Sequence, residues 1–187
     1  MIVIGVSGRI GSGKSKVCEY FSNRYGANRL KFSDILKDIL SRLYLPPERE
    51  NFQKLGKALR DAFGDDIVAK AMKQDIAGVK GGIVVVDGVR YRSEAEMIKS
   101  FENSFIIYVK AATMVRYERT LHRGEKGEEK NSYKEFLISG NAETEKHIDE
   151  VEALADFVIV NEGSFEELYS RLDEISEKIL KSQASIE

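Results

Sequence analysis

The stretch Ile2-Val3-Ile4-Gly5-Val6 runs into Gly8-Arg9-Ile10-Gly11-Ser12-Gly13-Lys14-Ser15, and Lys14–Tyr25 then carries Val17, Phe21 and Tyr25 four residues apart. An apolar strand, a glycine-rich turn and an amphipathic helix give G-x-x-x-x-G-K-[ST] the context in which it has physical meaning. Glycines let the backbone curl so that successive N–H groups converge on phosphate oxygens, and the positive end of the helix dipole reinforces that field. Gly8, Gly11, Ser12, Gly13, Lys14 and Ser15 are therefore the expected triphosphate cradle. Within it Lys14 is expected to bridge the β- and γ-phosphates, and the Ser15 hydroxyl to ligate Mg²⁺. A dinucleotide-binding turn is excluded, because Lys16 stands where the third glycine of G-x-G-x-x-G would fall.

Outward from this loop, short apolar runs alternate with amphipathic stretches. The runs are Ile2–Val6, Asn28–Phe32, Ile83–Val86, Phe105–Val109 and Phe157–Val160. Runs apolar at nearly every position suit strands covered on both faces, and helical crossovers between them make the sheet parallel. The expected fold is α/β, three layers around a five-stranded parallel sheet. The segment 33–82 is too long for one crossover and reads as three helices, with Pro46-Pro47 ending the first and Gly64 the second. Glu48–Phe63 carries Phe52, Leu55, Leu59 and Phe63, a stripe expected to pack on the sheet. Arg123–Lys146, rich in Glu, Lys, Gly, Ser and Asn, reads as a mobile, solvated excursion.

Composition narrows the classes. The 187 residues suit one domain, 1–187, with 42 % apolar and 32 % charged residues. The net charge of −2 removes the broad attraction that nonspecific nucleic-acid binders use, so no nucleic-acid partner is expected. No apolar run approaches the ~18–20 residues of a membrane span, and the N-terminus lacks a signal peptide's basic flank, so the expectation is a cytoplasmic chain without membrane contact. The single cysteine, Cys18, implies no internal disulfide and reads as an inert packed residue. His122 and His147 have no metal-ligand spacing and read as surface residues.

Ile83-Val84-Val85-Val86-Asp87-Gly88-Val89-Arg90 is a buried strand ending in acid, glycine and arginine. Lying beside the first strand, it would bring Asp87 near Mg²⁺ and phosphates, with Arg90 and Arg92 at the same carboxyl edge. An N-K-x-D base-reading element is lacking, which argues against a GTPase, and motors of the AAA type are longer, with a helical domain after the core. The small kinase group remains.

Gly8–Ser15, Ser33-Asp34, Asp87-Gly88-x-Arg90 and Asn161-Glu162-Gly163-Ser164 together resemble nucleoside monophosphate kinases and dephospho-CoA kinases, above all the adenylate-kinase-related, dephospho-CoA-kinase-like proteins. The resemblance spans nearly the whole chain. It implies a P-loop kinase fold with a helical acceptor-binding insertion at 33–82 and a short lid at 123–146. It implies ATP and Mg²⁺ as cofactors and a small nucleotide-like acceptor, in a monomer or homodimer. By resemblance, Asp34 lies beside an acceptor hydroxyl as a base; the alternative is that Ser33 or Asp34 caps a helix over Ile35–Leu43. Arg60, Asp87 and Arg90 correspond to acceptor-binding residues, Ser15 and Asp87 to metal-holding ones, and Asn161 with Gly163 to a loop that packs on adenine.

Arg116, Arg119 and Arg123 can share one helical face leading into the lid, and Arg119 with Arg123 is the pair expected to close over the transferring phosphoryl group. The alternative is a salt-bridged surface with Glu118 and Glu125. The chain departs from monophosphate kinases in lacking the Phe-Pro of Asp-Gly-Phe-Pro-Arg and a second arginine cluster within Gly140–Asp149, for which Lys126, Lys130 and Lys134 would have to compensate. The sequence thus predicts a phosphotransferase moving the γ-phosphoryl group of ATP to a nucleoside monophosphate or dephospho-CoA. The alternative is a nucleotide-dependent switch or accessory ATPase acting on a protein or RNA partner.

Overall fold

The computed structural model describes residues 1–121, 132–140 and 147–184. Five parallel strands, β1 (Ile2–Ser7), β2 (Asn28–Lys31), β3 (Ile83–Val89), β4 (Ser104–Lys110) and β5 (Phe157–Val160), lie in the order β2-β3-β1-β4-β5. Residues pointing to opposite faces of each strand feed two separate cores. On one face Ile4, Val6, Val85, Ile107 and Ile159 pack against α1 (Lys14–Tyr25) and the last helix, with Val17, Phe21, Leu168 and Leu172 buried there. On the other, Val3, Val84, Val86 and Ile106 meet α2 (Phe32–Arg42), α4 (Ile67–Ala77) and α5 (Arg92–Lys99) through Phe32, Met72, Ile76 and Ile98. This is the expected three-layer architecture. Each such side chain contributes about 1.5–3 kcal/mol when fully buried, which is why runs apolar at every position become central strands.

Helix ends follow local chemistry. Gly26, at φ 63°, closes α1 with its N–H on the Phe21 and Ser22 carbonyls. The expected trio between β2 and β3 is present as α2, α3 (Arg49–Phe63) and α4, with Gly64 at φ 99° ending α3. Two expectations need correction. The α3 stripe packs against α2 and α4 rather than the sheet, with only Gly56 buried and Phe63 66 % exposed, because α2 and α4 already cover that face. The helix after β2 begins at Phe32 with Lys31 as its N-cap, so neither Ser33 nor Asp34 is the cap. The strand holding Asp87 also continues to Val89. Gly88, at φ 87°, bulges out where the register steps from Val6 opposite Asp87 to Ser7 opposite Val89.

After α6 (Thr113–Leu121), α7 (Tyr133–Gly140) and α8 (Ile148–Glu152) precede β5, and α9 (Phe165–Ala184) ends the described chain. Part of the expected solvated excursion is thus helical, and α7 is not wholly solvated. Its Phe136 is buried against Tyr117, with rings 5.5 Å apart, and lies 5.6 Å from the Arg116 guanidinium. No described helix is long and apolar enough to cross a membrane.

Candidate functional site

The loop after β1 is built on backbone conformations that favour glycine. Gly8, Gly11 and Gly13 have φ of 140°, 78° and 105°. A Cβ on each would lie 2.2 Å from the Val109 carbonyl, 2.4 Å from the Arg116 carbonyl and 2.3 Å from the Asn161 amide nitrogen, respectively. The loop is therefore pressed onto the ends of β4 and β5 and onto α6. Lys14, on the first turn of α1, donates through Nζ to the carbonyls of Gly8 at 2.5 Å and Arg9 at 3.0 Å, so its ammonium spans the curl. Ser12 Oγ is buried without a hydrogen-bond partner among the described residues, a polar atom held at the loop's heart.

Side chains from later in the chain brace the curl. Asn161, 7 % exposed, donates from Nδ2 to the Ser12 carbonyl at 2.8 Å. The Asn161 carbonyl accepts from Arg119 Nη1 at 2.9 Å. Arg116 is turned inward and buried, donating to the carbonyls of Ile10 and Ala111 and to Thr113 Oγ1. Of the three arginines expected to share a face of this helix, Arg116 is a brace, Arg119 reaches the β5–α9 loop, and Arg123 lies outside the described residues. Gly163, in that same loop, sits so close to Glu167 that a Cβ would meet its carboxylate. Arg9 turns away from the curl. Its Nε and Nη2 donate to Asp149 Oδ1 and Oδ2 at 3.2 and 2.7 Å, and Nη1 to the Gly140 carbonyl, so it ties the loop to α7 and α8. That guanidinium holds the Asp149 carboxyl below its usual range.

At the carboxyl end of β3, Asp87 is half-buried and receives Arg29 Nη2 on Oδ2 at 2.5 Å. Arg29 sits on β2, one strand away, and composition alone gave no reason to single it out. What could have found it is its place two residues before Lys31, the register partner of Asp87 in a parallel pair. Cys18, fully buried on α1, faces the same carboxylate, and burial followed by that negative charge pushes its thiol well above the ordinary range. Such a thiol is inert, as expected.

The remaining predicted cations meet around a residue that the sequence reading passed over. Glu94, 4 % exposed on α5, accepts through Oε2 from the Arg90 N–H at 2.7 Å and the Tyr91 N–H at 3.3 Å. Burial drives its carboxyl up to about 7, against those two bonds and the nearby charges of Arg60 and Arg90. Arg60 lies 4.0 Å over the Tyr91 ring and donates to the Tyr91 hydroxyl at 2.7 Å. Of these groups Arg60 and Tyr91 border a cavity of about 720 Å³, whose walls also include Lys57, Arg92, His147 and the carboxylates of Asp61 and Asp65. His147 is paired with Glu150 and lies 5.5 Å from the Tyr91 ring, and no metal-holding cluster of His, Cys, Asp and Glu occurs among the described residues. Asp34 stands exposed on the first turn of α2, past the end of β2.

A family model described as an AAA domain matches residues 4–146. A UPF0200 protein of Staphylothermus marinus is 32 % identical over 184 residues, covering 98 % of this chain and 96 % of the relative. A UPF0200 protein of Saccharolobus solfataricus is 30 % identical over 182 residues, covering 96 % and 95 %. Among solved structures, shikimate kinase from Bacteroides thetaiotaomicron superposes with a TM-score of 0.65 at 11 % identity, over 95 % of this chain and 98 % of that one. TT1252 from Thermus thermophilus gives 0.60 at 22 % identity, over 95 % and 97 %. The structural likenesses establish a P-loop kinase-like fold, and the AAA description brings back a group that length had set aside. By the extent of these matches, the chain belongs to the AAA-domain family and to the UPF0200 proteins.

Proposed function

We propose that the chain transfers the γ-phosphoryl group of ATP to a small, anionic, nucleotide-like acceptor, a nucleoside monophosphate or dephospho-CoA. The observation that carries this reading is the common exit of two sites from one sheet edge. Ser7 and Val89 are register partners joined by a hydrogen bond from Ser7 Oγ to the Val89 carbonyl. One residue beyond Ser7 the glycine curl begins. Two residues beyond Val89, Tyr91 forms the wall of the 720 Å³ cavity. A donor on the curl and an acceptor in the cavity would thus be neighbours, and holding two reactants in register is the largest service an enzyme gives phosphoryl transfer.

In this reading the loop amides and Lys14 hold the β- and γ-phosphates, with Ser12 inside the curl and Asn161 keeping its shape. Arg60 and Arg90 orient the acceptor's negative charge, and Asp34 takes the proton where the acceptor is a hydroxyl. Arg119, anchored on the Asn161 carbonyl, lines the donor side, and Arg123 closes from the lid. Ser15 and Asp87 supply hard oxygen donors of the kind Mg²⁺ takes. Because Asp87 Oδ2 is given to Arg29, a water-bridged hold suits it better than direct ligation. When bound, the metal neutralises charge on the phosphate oxygens.

A second reading, a nucleotide-dependent switch or accessory ATPase with a protein or RNA partner, is favoured by the AAA match. ATP consumption measured with and without a panel of monophosphates and dephospho-CoA separates the two. Strong stimulation by one compound, lost in Lys14→Ala with the circular dichroism spectrum unchanged, is the expected result. Equal hydrolysis with every acceptor or none would give the switch, and full transfer by Lys14→Ala would refute the role of the curl.

A further inference from the structure

Glu94 sits beneath the cavity rather than in it, and its carboxylate does two things at once. Oε2 gathers the N–H groups of Tyr91, the N-cap of α5, and of Arg90 before it, and so fixes the turn from which both side chains leave. The same carboxylate lies within the fields of the Arg60 and Arg90 guanidinium groups, which favour its ionised form while burial opposes it. Tyr91 carries the arrangement into the cavity, because Arg60 is stacked on its ring and bonded to its hydroxyl.

We infer that Glu94 is a positioning residue of the acceptor cavity, holding the Arg90–Tyr91 turn and taking up a proton when an anion settles on Arg60. The inference rests on the reading that this cavity receives an anionic acceptor. The physical step is electrostatic. An anion on the Arg60 guanidinium offsets part of the field that keeps the buried carboxylate charged, so an O–H bond forms with a proton drawn from solvent. No bond of the ligand breaks, and the charge gained by the cavity is partly cancelled beneath it. The balance is fine because the carboxyl already titrates at about 7.

Other charged groups on the elements packed against α5 are engaged elsewhere. On α4, Lys70 pairs with Asp66 and Lys73 with Ser100 Oγ, and Asp75 is exposed. Lys110 of β4 pairs with Glu152 of α8, and Asp149 with Arg9. On α5 itself Arg92 pairs with Glu96, and Lys99 with Asp156. His147, paired with Glu150 and 5.5 Å from the Tyr91 ring, is an ionisable neighbour whose part must be separated by experiment.

The test follows the side-chain carboxyl carbon of Glu94 by NMR from pH 5 to 9 in the full chain, with and without sulfate, a phosphate-like anion that does not titrate in this range. Occupancy of the cavity is read independently from the Arg60 Nε–H and Tyr91 ring resonances. The expected result is a Glu94 midpoint near neutrality that rises by about one pH unit in sulfate, a tenfold gain in proton affinity. The rise should persist in His147→Gln and vanish in Arg60→Met. The Glu94→Gln variant, which keeps an acceptor for both N–H groups, should bind sulfate with affinity flat from pH 6 to 8. A midpoint that stays fixed while Arg60 and Tyr91 respond would overturn the coupling, as would sulfate that never reaches them. Neither outcome depends on ATP turnover, so a failure here is distinct from failure of the kinase reading.

Discussion

At 4 % exposure Glu94 gives the fold a pH dependence opposite in sign to that of a paired surface carboxylate. Its carboxyl rises from an ordinary 4.5 to about 7 in the folded chain. Between those values the native state binds the proton and the unfolded state does not, so this residue's contribution to stability is full at pH 4 and falls as pH rises through 7. Glu94→Gln should match the parent in urea midpoint at pH 5 and exceed it at pH 8, by roughly 3 kcal/mol if the whole shift is realised. A difference that does not grow with pH would mean that the carboxyl titrates normally. Residues of this sort were the hard ones to read. Glycine, lysine and serine in the curl announce themselves by spacing, because the chemistry lies in the local backbone. Arg29 and Arg116 earn their places through partners 58 and 106 residues away, while Glu94 holds N–H groups three and four residues before it and is set apart by the burial the fold imposes. A single sequence shows no such pairing until the strand register is known.

Among the elements, those whose pattern reports a two-sided environment were legible and those whose pattern reports only amphipathicity were not. The five apolar runs are the five strands, to within a few residues at each end. The α3 stripe has the right period for a buried face, yet period says nothing of what covers it, and α2 and α4 take the place of the sheet. In α7 the same ambiguity ran the other way. Its flanks are polar enough to read as a loop, while Tyr133, Phe136 and Leu137 suffice for a two-turn helix once Arg116 and Tyr117 offer a surface. An eight-residue helix cannot stand alone in water, so α7 exists through that contact. Phe136→Ala should speed amide exchange over 133–140 by about 10²-fold, the equivalent of about 3 kcal/mol, while β1 amides keep their protection. Uniform loss of protection across the chain would instead make Phe136 part of the main core.

For the molecule as a whole, the sheet order puts β1 at the centre, so whatever the curl binds is felt by both layers. Arg9 carries this further. Its carbonyl accepts from Lys14 Nζ while its side chain is forked onto Asp149 of α8 and the last residue of α7. The position of one loop carbonyl is thereby linked to two helices more than 130 residues on in sequence. The Arg9 and Asp149 side chains are 30 % and 59 % exposed, and a pair so open to water is worth about 0–1 kcal/mol to the fold. Asp149→Asn should therefore lower Tm by no more than about 4 °C. If the pair's main effect is to hold Arg9 where its carbonyl steadies Lys14, the same substitution should weaken MgATP binding several-fold, and Arg9→Ala should add little to it. Calorimetry of both variants, read beside their melting curves, decides the matter. A large fall in Tm with unchanged affinity would make the pair a simple clasp between layers. Lost affinity on an intact fold would make it the link through which α7 and α8 set the grip on the triphosphate.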